Sequence, residues 1–313
     1  MKAISSIAYS SSANLGPGYD VLAISHNAYY DRVTVSQDDR TGGQQIRILS
    51  DNTPLKTENN TAGLALINLF EGEGIKDSVS VKIEKGIPFG LGLGSSGASS
   101  AAAIFSANTL FELGLSLEKI TYYAMRGEIA SSGSPHADNV SASIYGDMVI
   151  VNSVDPLRVR KLKISEKFSF LTIIPHVFIP NKTKMAREML PKTVEMNRVI
   201  QNTRNLSSLM AGLVSGERDL VRGGMNDCIV EYSRAPLFPF YNEIKELALN
   251  CEAAGVSISG AGPSILVVCD ELTNSEDIEK QTSAVMEKYG YKWSSVRSDV
   301  CGGVINENVD AYS

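Results

Sequence analysis

The chain has 313 residues, 43% of them hydrophobic and 20% charged, ordinary proportions for a globular enzyme with a substantial core. That length suits two domains of usual size. A net charge of −6 argues against nucleic acid or an anionic membrane as a general partner, although one local electropositive pocket still suffices for a small polyanion. The four cysteines, Cys228, Cys251, Cys269 and Cys301, have no metal-motif spacing and read as buried small hydrophobes in a reducing compartment. Residues 1–14 lack the apolar core of a signal peptide, and no stretch approaches the ~18 apolar residues of a spanning helix. The expectation is a soluble, cytoplasmic protein.

In chain order, the first clear strand is at residues 79–84, where Val79, Val81 and Ile83 alternate with Ser80, Lys82 and Glu84. A glycine-rich loop follows, then an Ala-rich helix over about 96–113 that stops at Gly114. Ser116 caps a second helix running to about Glu128, and 148–151 reads as a strand. Residues 152–163 contain a proline and several charges, which puts a domain boundary there and divides the chain into 1–155 and 156–313. Beyond it come a strand at 170–174, a long helix at 193–212, and a helix at 244–254 ended by Gly255. Short strands at 256–259 and 265–269 flank the loop 260–264. Strands and helices alternate without the regular βαβ rhythm of a doubly wound sheet, so the class is α+β.

The loop reads Pro88, Phe89, Gly90, Leu91, Gly92, Leu93, Gly94, Ser95, Ser96, Gly97, Ala98. Closely spaced glycines let a backbone turn its N–H groups inward toward an anion. The helix that follows adds the unpaired amides and partial positive charge of its N-terminus. Together they make a phosphate cradle that requires no lysine. A strand on one side and a helix on the other argue against a flexible linker; a loop whose glycines only permit close packing is the harder alternative to dismiss. A Walker A loop needs Gly-Lys-Ser/Thr, and Gly94-Ser95-Ser96 has no lysine. Gly92, Gly94 and Gly97 fit the dinucleotide G-x-G-x-x-G, but the acidic residue at the right offset, Glu112, ends a helix rather than a second strand.

At this loop the chain resembles the GHMP kinases, whose second motif is Pro-x-x-x-Gly-Leu-Gly-Ser-Ser-Ala. Pro88, Gly92, Leu93, Gly94, Ser95 and Ser96 match it, and Gly97 replaces the usual alanine. The stretch from Ser11 through Asn14, Gly16, Pro17, Tyr19 and Asp20 is similar to the opening signature of the homoserine kinase branch, with tyrosine where phenylalanine is common. Ser257 to Ser264, containing Gly260, Gly262 and Pro263, resembles the family's C-terminal glycine loop. His136, Asp138 and Asn139 resemble the branch's His-x-Asp-Asn segment. Thr183, Arg187, Leu190 and Pro191, and then Glu231, Arg234 and Pro236, resemble its two arginine sites.

The resemblance implies a two-domain GHMP kinase fold: an N-terminal domain like ribosomal protein S5 domain 2, a ferredoxin-like C-terminal domain, and ATP at their junction. It implies phosphorylation of the side-chain hydroxyl of L-homoserine to O-phospho-L-homoserine, a step of threonine biosynthesis, by a homodimer. Phosphoryl transfer leaves mainly positioning and charge neutralisation to protein groups. On this resemblance, the loop from Pro88 to Ala98 holds ATP, and Ser96 and Glu128 hold Mg2+, hard oxygen donors for a hard ion. Asn60 lies near the adenine by a weaker likeness. Arg187 and Arg234 would fork the substrate carboxylate. Asp20 and Asp138 face its ammonium, while Asn14, His136 and Asn139 fix the hydroxyl and shape the pocket. Galactokinases and mevalonate kinases have a catalytic aspartate where Asn139 falls, which implies that positioning and the phosphate oxygens act without a dedicated base. Standing alone, Glu128 would read as a solvated helix carboxylate, the arginines as surface ion pairs, and His136 as a loop histidine bonded to backbone. His26 and His176 carry no functional expectation. The rival functions are another GHMP kinase, acting on mevalonate, shikimate or a sugar, a non-catalytic ATP sensor of the same fold, and a nicotinamide enzyme.

Overall fold

The computed structural model describes residues 2–38, 45–177, 179 and 182–307. Its first part runs β1 (Ala3–Ala13), β2 (Leu22–Gln37), β3 (Ile46–Leu49), α1 (Thr61–Glu73), β4 (Val79–Glu84), α2 (Ser95–Leu110), α3 (Leu117–Gly127), α4 (Ile129–Ser132), α5 (Asp138–Tyr145), β5 (Met148–Val154) and β6 (Leu157–Leu162). Then come β7 (Ser169–Pro175), α6 (Lys182–Glu188), α7 (Met196–Ser215), α8 (Arg218–Gly224), α9 (Val230–Arg234), α10 (Tyr241–Asn250), β8 (Gly255–Ile258), β9 (Ile265–Cys269), α11 (Ser275–Tyr289), β10 (Trp293–Ser298) and β11 (Ile305–Glu307).

Among the described residues the strands form two sheets. A seven-stranded sheet has the order β11-β1-β2-β4-β3, with β5 attached to β2 and β6 to β5. The long β2 is shared, its start pairing with β5 and its end with β4. The alternating Val79, Val81 and Ile83 of β4 and Val33 and Val35 of β2 meet alanines 98, 101, 102, 103 and 107 of α2 in one core. Helix α2 is buried nearly all round, and its small side chains let it lie close to β1 and β2.

The second sheet, β10-β7-β9-β8, is antiparallel and covered on both faces. Ile265 and Val267 of β9 pack with Phe238, Phe240, Ile244 and Ile278 beneath α10 and α11. Leu266 and Val268, on the opposite face, pack with Leu15, Leu22, Met148, Leu209 and Leu213. This second cluster joins the two halves, and burial on both faces explains why β9 reads as an unbroken apolar run. The succession β7, helices, β8, β9, α11, β10 is the ferredoxin-like arrangement expected for this half.

Several boundaries differ from the sequence reading. The stretch 152–163 is largely the β5–β6 hairpin, so the division at 155/156 falls in its turn, with β6 in the first sheet. Strand β11 also returns to pair with β1. Helix α7 ends at Gly216, which is left-handed at φ +77, rather than at Gly212. Gly212 lies within the helix, where a Cβ would stand 2.7 Å from the Val221 amide at the α7–α8 crossing. Helix α10 stops at Cys251, and Gly255 opens β8 because a Cβ there would meet Met225 Sδ at 2.5 Å. Of the cysteines, Cys251 and Cys269 are buried, Cys228 and Cys301 half-buried, and all are free thiols. No helix among the described residues is long and apolar enough to cross a membrane.

Beneath the glycine loop lies a buried polar network that the sequence did not signal. Asp31 on β2 is fully buried and ion-pairs with Lys85. Its carboxylate also accepts from the amides of Gly86 and Ile87, both at 3.0 Å, and from Ser99 Oγ at 2.8 Å. Lys85 Nζ in turn donates to the Ser95 carbonyl at 2.8 Å, tying the end of β4 to the start of α2. Removing the carboxylate strands a buried ammonium and two amides. Asp31→Ala is therefore expected to lower the unfolding free energy by about 3–5 kcal/mol in denaturant titrations, and a loss under about 1 kcal/mol would contradict this role.

Candidate active site

Three loops meet where the two sheets adjoin. The turn after β1, the loop between β4 and α2, and the loop between β8 and β9 are knitted together mostly by backbone. Ser11 N donates to the Leu93 carbonyl at 3.1 Å, Gly260 N to Ala13 at 3.1 Å, and Ser264 N to Leu91 at 3.2 Å. Ser259 Oγ donates to the Gly92 carbonyl at 2.6 Å, and Asn14 Nδ2 to the Gly260 carbonyl at 2.9 Å. Asn14 thus shapes the site through its side chain while itself adopting φ +75.

The glycine loop is polarised by these bonds. The carbonyls of Gly90, Leu91, Gly92, Leu93, Gly94 and Ser95 accept from Lys182, Ser264, Ser259, Ser11, Ala98 and Lys85 respectively. In a trans peptide the N–H of the next residue points the opposite way. Held carbonyls therefore turn the amides of Gly92 to Ser96 toward the cavity, and among the described residues none of the amides from Gly90 to Gly97 has a protein acceptor. Gly90, Gly92 and Gly94 supply the left-handed φ values of 73, 83 and 71 that this alternation requires. At Gly92 a Cβ would collide with the Ser259 carbonyl and stand 2.7 Å from that of Gly262. Helix α2 begins at Ser95 with glycine as N-cap and no capping side chain, leaving its first-turn amides for an anion.

These loops open onto a cavity of about 510 Å³ lined by Asn14, Asp20, Pro88, Phe89, Gly90, Gly92 to Ser96, Glu128, His136, Asp138, Asn139, Arg187 and Arg234. Tyr19, Lys182 and Thr183 line it too. Three expected nucleotide contacts fall elsewhere: Leu91, Gly97 and Ala98 do not line the cavity, and the Ala98 amide is engaged by Gly94. Asn60 is a helix cap, its Oδ1 accepting from Gly63 N and its Nδ2 donating to Thr53 and Pro54. Its buried side chain has no donor left for an adenine.

Glu128 is buried rather than solvated, and its carboxylate accepts from Ser96 Oγ at 2.9 Å. Burial pushes its carboxyl up to about 7; the Asp138 charge adds to this, while the Ser96 hydrogen bond and Lys85 oppose it. Asp138 opens α5 beside it and is raised to about 6, again chiefly by burial with Asp20 contributing. Asn139 Oδ1 accepts from Ser11 Oγ at 2.9 Å, leaving the Nδ2 donors on its other side.

Across the cavity stand two guanidiniums. Arg187 lies 5.6 Å and Arg234 4.9 Å from the centroid of the same Tyr19 ring, a geometry of cation–π attraction. Arg187 Nη2 donates to Asp20 at 2.9 Å and to His136 Nδ1 at 2.8 Å, so His136 Nδ1 is unprotonated and its proton sits on Nε2. Burial, then the Arg187 charge, hold His136 below its ordinary pKa. Arg234 Nε donates to the Ala186 carbonyl at 3.0 Å. Glu231, bonded to Ile258 N at 3.0 Å, anchors α9 to β8. The arrangement can hold a polyanion on one wall and a small carboxylate on the other.

Residues 60–147 match the family model for the GHMP kinases N terminal domain, and 209–288 that for GHMP kinases C terminal. The chain belongs to the GHMP kinase family. A homoserine kinase of Thermoplasma volcanium is 48% identical over 301 residues, covering 96% of each chain. One of Saccharolobus islandicus is 46% identical over 298 residues, covering 95% of this chain and 96% of that one. The crystal structure of homoserine kinase from Cytophaga hutchinsonii has a TM-score of 0.87 at 32% identity, covering 98% of both chains. A mevalonate diphosphate decarboxylase of Staphylococcus aureus, at 13% identity and TM-score 0.70, shares the fold. GHMP kinases use ATP, and the amide-lined loop is the part of this site suited to its phosphates. Tyr19 and Lys182 line the cavity and were not singled out from the sequence, since each meets partners distant along the chain, as do Lys85 and Asp31 in the scaffold beneath the loop.

The raised Glu128 carboxyl has a consequence for stability. Below about pH 4.5 the group is protonated in folded and unfolded chains alike. As pH rises from there toward about 7, the unfolded chain ionises first, so folding loses stability. Glu128→Gln in nucleotide- and metal-free protein is expected to be more stable than wild type at pH 8 by on the order of 3 kcal/mol, with no gain at pH 4. Equal unfolding midpoints at both pH values would contradict this assignment.

Proposed function

We propose that the chain transfers the γ-phosphoryl group of Mg-ATP to the side-chain hydroxyl of L-homoserine. One observation carries the reading: a cavity with inward amides on one wall has two guanidiniums on the other, both packed on Tyr19. Such a pair suits the carboxylate of an amino acid. The names of the Thermoplasma and Saccharolobus relatives support the same substrate.

In this reading the amides from Gly92 to Ser96 neutralise the polyphosphate, preorganised by the donors that hold the loop carbonyls. Phe89, 70% exposed at the rim, borders the same cavity. Ser96 and Glu128 would hold Mg2+: a half-buried hydroxyl and a buried carboxylate 2.9 Å apart are hard oxygen donors, and a dication would draw the Glu128 proton off. Bound there, the ion would neutralise charge on the phosphate oxygens.

Arg187 and Arg234 bind the carboxylate, with His136 and Asp20 steering Arg187. Asp138 and Asp20 face the ammonium. Asn139, its Oδ1 held by Ser11, offers Nδ2 to the acceptor hydroxyl oxygen and orients it for in-line attack. An asparagine cannot take the proton, which passes to a phosphate oxygen as the new O–P bond forms and the bond from the γ-phosphorus to the bridging oxygen breaks, releasing ADP.

A coupled ADP-release assay with homoserine, serine, threonine, mevalonate and shikimate tests the substrate. Homoserine is expected to give the highest kcat/KM, and equal or better use of mevalonate or shikimate would reject it. Arg234→Met is expected to raise KM for homoserine by about 10- to 100-fold and leave KM for ATP within about threefold.

A further inference from the structure

Lys182, the first residue of α6, lines the cavity and is only 7% exposed. Its Nζ donates to the Gly90 carbonyl at 2.7 Å and to the Gly262 carbonyl, bridging the glycine loop to the loop between β8 and β9. A lysine ammonium has three donors, so one remains. Among the described residues no carboxylate forms a salt bridge with Lys182, and the charge of Arg234 repels it. Buried cations are ordinarily paired, because an unpaired one loses its hydration without compensation. Lys85, whose side chain is 11% exposed, has Asp31.

We propose that the missing counter-ion of Lys182 is the ligand itself, and that Lys182 is a binding residue for the polyphosphate of the nucleotide. This rests on reading the cavity as the ATP site and adds a side-chain cation to a cradle otherwise made of amides. A purely structural tether is the competing explanation, and the neighbouring residue Asn14 weighs against it. Asn14 bridges to the Gly260 carbonyl with a neutral amide, so holding these loops together needs donors and no charge. A buried ammonium is a costly tether and an effective phosphate ligand. Burial and Arg234 bring its pKa down to about 7 in the empty cavity, and a bound polyanion would restore its charge.

Isothermal titration of wild type, Lys182→Met and Lys182→Gln with ATP and with adenosine separates the two explanations. Gln keeps donors for the two carbonyls and lacks the charge. Both variants are expected to lose about 10- to 100-fold in ATP affinity, while adenosine affinity and KM for homoserine stay within about twofold. Lys182→Gln binding ATP as tightly as wild type would overturn the proposal and leave a tether. Should both variants fail to fold, wild-type crystals with a non-hydrolysable ATP analogue decide it: Nζ within about 3.2 Å of a phosphate oxygen supports the proposal, and Nζ beyond hydrogen-bond reach of all of them ends it. A wild type that binds no ATP would instead remove the kinase reading beneath it.

Discussion

The site depends on the one-sided engagement of a short backbone loop. From Gly90 to Ser95 each carbonyl is held by a protein donor, and planar trans peptides then turn the following amides toward the cavity. Those donors come from β1, the loop before β9, α6 and the end of β4, so both sheets must be in place before the cradle exists. Ser11 and Ser264 donate from their backbones, Ser259, Lys85 and Lys182 from side chains. The two-lobed architecture, joined by the apolar cluster of Leu15, Leu22, Leu266 and Val268, is what brings them to one place.

The cavity is electrostatically incomplete by itself. Glu128 and Asp138 are carboxyls raised by burial, and Lys182 and Arg234 are cations lowered by it. Each departure marks a group whose charged form is poorly served by the protein alone. A dication beside Glu128, a polyphosphate beside Lys182 and a carboxylate beside Arg234 would each relieve one of them. Burial lowers Lys85 as well, but there Asp31, within the protein, opposes the shift, and that pair serves the scaffold.

Much of this was legible in the sequence, for identifiable reasons. Local rules sufficed for β4, with its strict alternation, and for α3, whose Ser116 caps Lys119 N. The glycine loop could be read as an anion cradle because glycines at alternate positions and a following helix are both local features. Local rules failed where a glycine served packing: Gly212 and Gly255 looked like helix stops and are points of close approach. They failed again for Asn60, whose side chain caps α1. No local rule foresees that Lys182 reaches the loop's Gly90 carbonyl from 92 residues away in sequence. Asp31 and Lys85, 54 residues apart, were hidden for the same reason.

The central claim is that main-chain amides of residues 92–96 bind the nucleotide's phosphates. Backbone amide NMR of 15N-labelled protein, titrated with ATP and separately with adenosine, tests it most directly. Downfield amide proton shifts at Gly92, Gly94, Ser95 and Ser96 with ATP, absent with adenosine, are the predicted result. ATP binding that leaves those four amides unmoved would contradict it.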